Sequence, residues 1–281
     1  MRHTSRLIVA VLGMALAASA ATAGDLVQPI DLSSFGEIGP SFDTTAARSP
    51  DGSVPIVPVD SDGGMLANRI YVSGIVGASF ATLSTGGSNQ IGGTTLRQSG
   101  SVNETIFTGG GALGIAFAKP SGLLRMEVEG RARGPMTGQT SLITEEGSLP
   151  LDVTVTNGWS TLTNFWRDFF VTDALGIYVG GGFGVGGYQY AMTASNDVPL
   201  SSFSNVTTFA WQAGTGFVYA INDRITIDTG YRFFAMTPDS APLLVDAPLG
   251  AALSFGQYTS AFSASELLLS VRIYEPFRNW R

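Results

Sequence analysis

The sequence predicts an all-β protein: an eight-stranded antiparallel up-and-down transmembrane β-barrel with a flexible N-terminal extension. Three observations predict it. The first is the stretch Phe209–Phe234, FAWQAGTGFVYA-INDR-ITIDTGYRFF, in which two alternating runs flank a short polar turn. Side chains alternate across a strand. Phe209, Trp211, Phe217, Tyr219, Tyr231 and Phe233 therefore share greasy faces, opposed by Gln212, Gly214, Asp228 and Arg232. The aromatics gather at the ends of those faces, as in the two girdles of a membrane barrel. The second is composition. Charged residues are only 13% while hydrophobic residues reach 44%, yet beyond the N-terminus no apolar run attains the roughly 18–20 residues of a spanning helix. Such a chain can still cross a membrane as a closed barrel, which satisfies every backbone group internally. The third is the rhythm of the connections: long, polar, Gly-rich stretches alternate with turns of a few residues.

In chain order, residues 1–23 read as a secretory signal. Arg2, His3 and Arg6 form the positive region, Leu7–Ala18 the apolar one, and Ala21-Thr22-Ala23 fits small–x–small cleavage. Residues 24–68 form an acidic, Pro-rich extension, with seven carboxylates against Arg48 and prolines at 29, 40, 50, 55 and 58. The barrel spans 69–274, and 275–281 is a short tail.

Within the barrel the predicted strands are Arg69–Leu83, Thr105–Ala118, Leu123–Arg133, Gly158–Phe169, Gly176–Tyr190, the two halves of the Phe209–Phe234 hairpin, and Ser265–Tyr274. The long loops are placed at Ser84–Glu104, Gly134–Asn157, Ala191–Val206 and Ala235–Ser263. The third strand, LLRMEVEGRAR, says most about the interior. Leu124, Met126, Val128 and Ala132 face one way, and Arg125, Glu127, Glu129, Arg131 and Arg133 the other. Inside a small barrel those ions must pair, because an unpaired buried charge is costly. Arg125, Glu127, Glu129 and Arg131, with Gln212, Asp228, Arg232 and Arg272, make up the candidate lumen network. Lost pairing in Asp228→Leu should then lower the heat resistance of the folded barrel. The facing of the fourth strand is open: Leu162, Asn164, Trp166 and Asp168 point either in or out. In the fifth, Gly180, Gly182, Gly184 and Gly186 share one face and leave room for bulky neighbours. Gly182, Gly184 and Gly187 also fit GxGxxG, but no helix or βαβ unit follows, so nucleotide binding is not read from them.

IYVSGIVGASF, IYVGGGFGVG and above all the W-Q-A-G-x-G…D-x-G-Y-R pattern of the hairpin resemble the small eight-stranded outer-membrane barrels of the opacity-protein and outer-membrane-protein-A-like family. The likeness runs from about 69 to 274. It implies a bacterial outer-membrane location and long outer loops that carry any binding. The chain departs from it by continuing past the last strand through Glu275 to Arg281, where Phe277 or Trp280 would stand in for the usual terminal aromatic.

Several function classes are disfavoured. There is no cysteine, so thiol chemistry and disulfides are absent. The one histidine, His3, lies in the signal, which removes imidazole-based catalysis and metal binding from the mature chain. Cleavage leaves 13 basic and 22 acidic residues, a formal net of −9, the wrong sign for nucleic acid. The sequence therefore predicts no catalytic, cofactor or metal site. It predicts a non-enzymatic surface or structural barrel whose partners are the outer-membrane bilayer and a surface ligand or host partner at the loops. The alternatives are a narrow porin-like channel for small or apolar solutes, a membrane-embedded enzyme, and a soluble secreted β-protein.

Overall fold

The computed structural model describes residues 68–91, 94–119, 122–144, 147–194, 201–246 and 252–276. The signal segment, the extension up to residue 67, and Phe277 and Trp280 of the tail lie outside these.

Among the described residues ten strands run in chain order: β1 (Arg69–Ile91), β2 (Thr94–Lys119), β3 (Gly122–Arg133), β4 (Met136–Thr144), β5 (Gly147–Phe170), β6 (Leu175–Ala194), β7 (Ser201–Ala220), β8 (Ile225–Met236), β9 (Asp239–Asp246) and β10 (Ala252–Tyr274). Eight of them close a ring in the order β1-β10-β8-β7-β6-β5-β3-β2, and β2 pairs back onto β1. All pairings are antiparallel. β4 and β9 are continuations rather than extra staves. β4 follows β3 along the same neighbours, β5 and β2, after a break at Gly134-Pro135. β9 follows β8 along β10 after a break at Thr237-Pro238. Proline brings no N–H to a ladder, which is why each stave is interrupted there.

The four stretches read as loops are corrected by this structure. Most of Ser84–Glu104, Gly134–Asn157, Ala191–Val206 and Ala235–Ser263 is strand. β1 and β2 stay in register out to Ile91↔Thr94, β4 and β5 to Thr144↔Gly147, and β6 and β7 to Thr193↔Ser201. A membrane crossing needs about 9–11 residues, so strands of 23 and 26 residues continue well beyond one. Outside a bilayer a strand has no greasy outer face, and small polar residues such as Thr154 and Thr156 take it while apolar ones such as Val153 and Val155 still face in. At the other end the connections are short. Residues 171–174 and 221–224 each link neighbouring strands, and in the second Asn222 Oδ1 accepts from the N–H groups of Arg224 (2.9 Å) and Ile225 (2.8 Å). That is the local hydrogen bonding that makes Asn a turn residue.

The ring is inside-out relative to a soluble protein. Ile70, Val76, Phe80, Leu113, Val128, Ile177, Leu267, Leu269, Val271 and Ile273 stand exposed on the outside, while Arg125, Glu127, Glu129, Arg131, Arg232 and Arg272 are buried within. Sustained exposure of apolar side chains on every stave, aliphatic on some and aromatic on β5, β7 and β8, is the band that lipid covers.

Candidate functional site: the filled lumen

The pleat of each stave sets what enters the lumen. In β3, Arg125, Glu127, Glu129, Arg131 and Arg133 point in and are buried, while Leu124, Met126 and Val128 between them are exposed. β8 adds Asp228 and Arg232, β7 Gln212, and β10 Arg272, all buried. The fourth predicted strand, now the membrane half of β5, turns Leu162, Asn164, Trp166 and Asp168 inward, all at most 1% exposed. Glu266 of β10 joins them. It is a single acid at the head of a leucine run, and its parity with Arg272 is the only sequence sign that it faces in. Among the described residues the buried charges number five arginines (125, 131, 133, 232 and 272) and five carboxylates (127, 129, 168, 228 and 266).

They pair in three storeys. Nearest the short turns, Arg125 donates through Nε and Nη2 to Asp168 Oδ1 at 3.0 and 2.8 Å. Arg272 reaches Asp168 Oδ2 at 3.2 Å and also pairs with Asp228, which Ser270 supports at 3.2 Å. The Tyr71 hydroxyl and Trp166 Nε1 donate to Glu127 at 2.6 and 2.7 Å. Tyr71 and Tyr274 pack beneath, ring centroids 5.5 Å apart. In the middle storey Glu129 lies 2.5 Å from Arg131 Nε and 2.6 Å from Arg232 Nη1. Asn164 donates to both Glu127 (3.1 Å) and Glu129 (2.9 Å), and accepts from Gln212 at 2.7 Å. Gln212 in turn accepts from Arg131. In the upper storey Glu266 holds Arg131 and Arg133 together. Arg133 also donates to Ser160 at 3.1 Å and lies 3.8 Å over the Phe234 ring.

Above the ions the lumen turns apolar. Leu83, Val102, Ile106, Met136, Val153, Val155, Tyr188, Tyr190, Met192, Phe234, Met236 and Phe262 form one buried cluster. The inward glycines of β6 make space for this filling. At Gly182 a side chain would overlap the Asn164 amide, and at Gly180 it would press on the Trp166 ring.

The six aromatics assigned to girdles all lie on outward-facing positions of β7 and β8. Phe209, Phe217 and Tyr219 are about half exposed, and Tyr231 somewhat less. Trp211 leans across its neighbour Phe233, ring centroids 5.5 Å apart, and so covers it. Phe233 is thus shielded by another ring at 6% exposure, where an isolated girdle position would leave it open. Among the described residues no group of His, Cys, Asp and Glu is arranged to hold a metal.

No family model matches the sequence. A curated protein does: the outer membrane protein PagN of Salmonella typhimurium is 28% identical over 196 residues, covering 64% of this chain and 80% of PagN. The chain is an outer-membrane β-barrel protein. It is of the small eight-stranded kind, with a lipid-facing apolar band and a polar interior. Solved structures with a similar course of chain include the outer membrane protein OprG of Pseudomonas aeruginosa, at 16% identity and TM-score 0.41, covering 72% of this chain and 95% of that one. Neisserial surface protein A is at 16% identity and TM-score 0.36, with 73% and 96% covered. The outer membrane protease OmpT of Escherichia coli is at 8% identity and TM-score 0.47, with 72% and 96% covered.

Proposed function

We propose that this outer-membrane barrel is non-enzymatic and non-conducting, and that it holds long paired strands outside the cell as a binding surface. The observation that carries the reading is the filling of the lumen: five cations and five anions paired across it, with an apolar layer on top. An eight-stranded barrel is just wide enough for side chains to fill, and the described lumen side chains are buried and paired. The short turns 171–174 and 221–224 then lie on the periplasmic side, and the extended hairpins outside. Absence of histidine from the mature chain leaves serine hydroxyls without their usual base. In planar bilayers the purified protein is expected to be silent; discrete conductance steps would overturn the reading.

A second reading, a narrow path for small or apolar solutes, has one observation in its favour. A small cavity lined by Ile106, Met136, Tyr188, Phe234 and Phe262 lies beside the wall residues Gly134, Gly158 and Gly187, where β3 breaks and β5 shifts register between Thr156 and Trp159. Uptake of a labelled apolar solute into vesicles that hold the protein separates the two readings.

A further inference from the structure

The ring is complete up to the proline break at Thr237-Pro238 and loses one pairing beyond it. β7 pairs with β8 as far as Ala210↔Met236, and one further bond runs from Thr237 N–H to Phe209 C=O at 2.8 Å. Beyond it β9 pairs with β10, and no described strand pairs with the second side of β7 between Ser201 and Thr208. β9 stays close to part of β7 but pairs only with β10, so the ladder between β7 and its neighbour ends at this last bond. The Phe209 carbonyl faces the gap. Backbone groups alternate sides along a strand, so Phe203, Asn205 and Thr207 turn both N–H and C=O to it, while their even-numbered neighbours bond to β6.

An unpaired edge is a template for another strand, and proteins guard such edges with charges, prolines or bulges. The β9 sequence carries Asp239, Pro242 and Asp246. The β7 edge, SSFSNVTTF, has no charge and no proline. No described segment of the chain fills it, and β1 begins at Arg69, which bonds to the Asp223 carbonyl at the short-turn end. A second copy in the same membrane shares its orientation and brings its own β7 alongside in parallel; with staves tilted about 35–45° each, the two edges cross instead of aligning. What remains is a strand from a different molecule. Its charge is set by the surroundings. The outer stretches 84–104, 134–157, 191–206 and 235–263 hold seven carboxylates and a single base, Arg97.

We propose that the free edge of β7, Ser201–Phe209, docks an extended basic segment of a partner polypeptide outside the cell. The proposal rests on the binding-surface reading above and names the partner's chemistry. Backbone pairing supplies the attachment, and the acidic surroundings supply the preference for a cation and a dependence on salt.

The test uses the full chain in lipid nanodiscs with a nine-residue peptide of alternating Lys and Val, and an alternating Glu–Val peptide as the counterpart. Amide hydrogen exchange at Phe203, Asn205 and Thr207 is expected to slow at least ten-fold with the Lys peptide, less at high salt, and to stay unchanged with the Glu peptide. Thr207→Pro removes one edge N–H and leaves the β6 ladder intact; it should weaken Lys-peptide binding about ten-fold, while Thr207→Val, which keeps the N–H, should bind as the native chain does. Heat-modifiable migration on gels reports whether each variant folds; if Thr207→Pro does not, exchange on the native chain decides. Binding without protection of these three amides, or no binding, overturns the proposal. So does equal protection by both peptides. Protection present without peptide and lost on dilution would assign the edge to a second copy and also overturn it. A conducting barrel would refute the binding-surface reading instead, so the two failures are separable.

Discussion

Glu129→Gln is the sharpest test of the lumen network. Glu129 is 1% exposed and anchors two guanidinium groups, at 2.5 Å to Arg131 and 2.6 Å to Arg232. The amide has nearly the same shape, so packing is kept and only the charge is lost. Arg131 retains its pair with Glu266. Arg232 does not fare so well, since its one ion pair among the described residues is with Glu129. Breaking a buried pair from one side costs about 3–5 kcal/mol, because a charge is left uncompensated. The glutamine oxygen can still accept one hydrogen bond, which places the expected loss near the lower bound, about 3 kcal/mol. Urea unfolding in lipid vesicles, followed by tryptophan fluorescence, measures it; Trp166 lies 4.5 Å from the Arg232 guanidinium and reports locally. Glu129→Gln combined with Arg232→Met removes both charges and is expected to recover most of the loss. A single-variant loss under about 1 kcal/mol, or two losses that simply add, would show that the pairs are not fixed.

Other perturbations are graded by the same geometry. Asp228→Leu leaves Arg272 its bond to Asp168 at 3.2 Å, so the expected loss is smaller, about 2 kcal/mol, with a lower melting point on gels; an unchanged midpoint counts against Asp228 as a working partner. Gly182→Val drives a side chain into Asn164 and should cost about 1–3 kcal/mol through overpacking, whereas Gly74→Val, with open space around it, should be tolerated. A protease site inserted between Glu145 and Glu146 should be cut on intact cells, and one between Asn222 and Asp223 spared; the reverse pattern would invert the assigned orientation.

The sequence is most legible where the bilayer imposes a contrast. In LLRMEVEGRAR the two faces differ as sharply as residues can, and the alternation alone separates lipid from lumen. Asp168 was ambiguous because β5 carries polar and aromatic residues on both faces: Trp166 and Phe165 alternate with Asn164 and Arg167. Glu266 was hidden by its isolation among leucines. The long hairpins were illegible for a different reason. Above the membrane both faces of a strand meet water or a mixed interior, so stretches such as Thr94–Glu104 show only the small polar composition that also marks loops. Their strand character comes from register, inherited residue by residue from the barrel below, and register does not show in a single strand's composition.

The two proline breaks bear on how the ring assembles. Below them β3 and β8 are 12 residues each, about the length that crosses a membrane. Zippering that starts at the short turns can close all eight staves up to Gly134-Pro135 and Thr237-Pro238 without involving anything above. The outer ribbons then extend the registers already set below, as the unbroken β1–β2 and β6–β7 ladders show. Errors or insertions in them are expected to leave the lower ring's closure untouched, so the part of the molecule that meets the outside world can change its sequence while the part that meets lipid keeps its own.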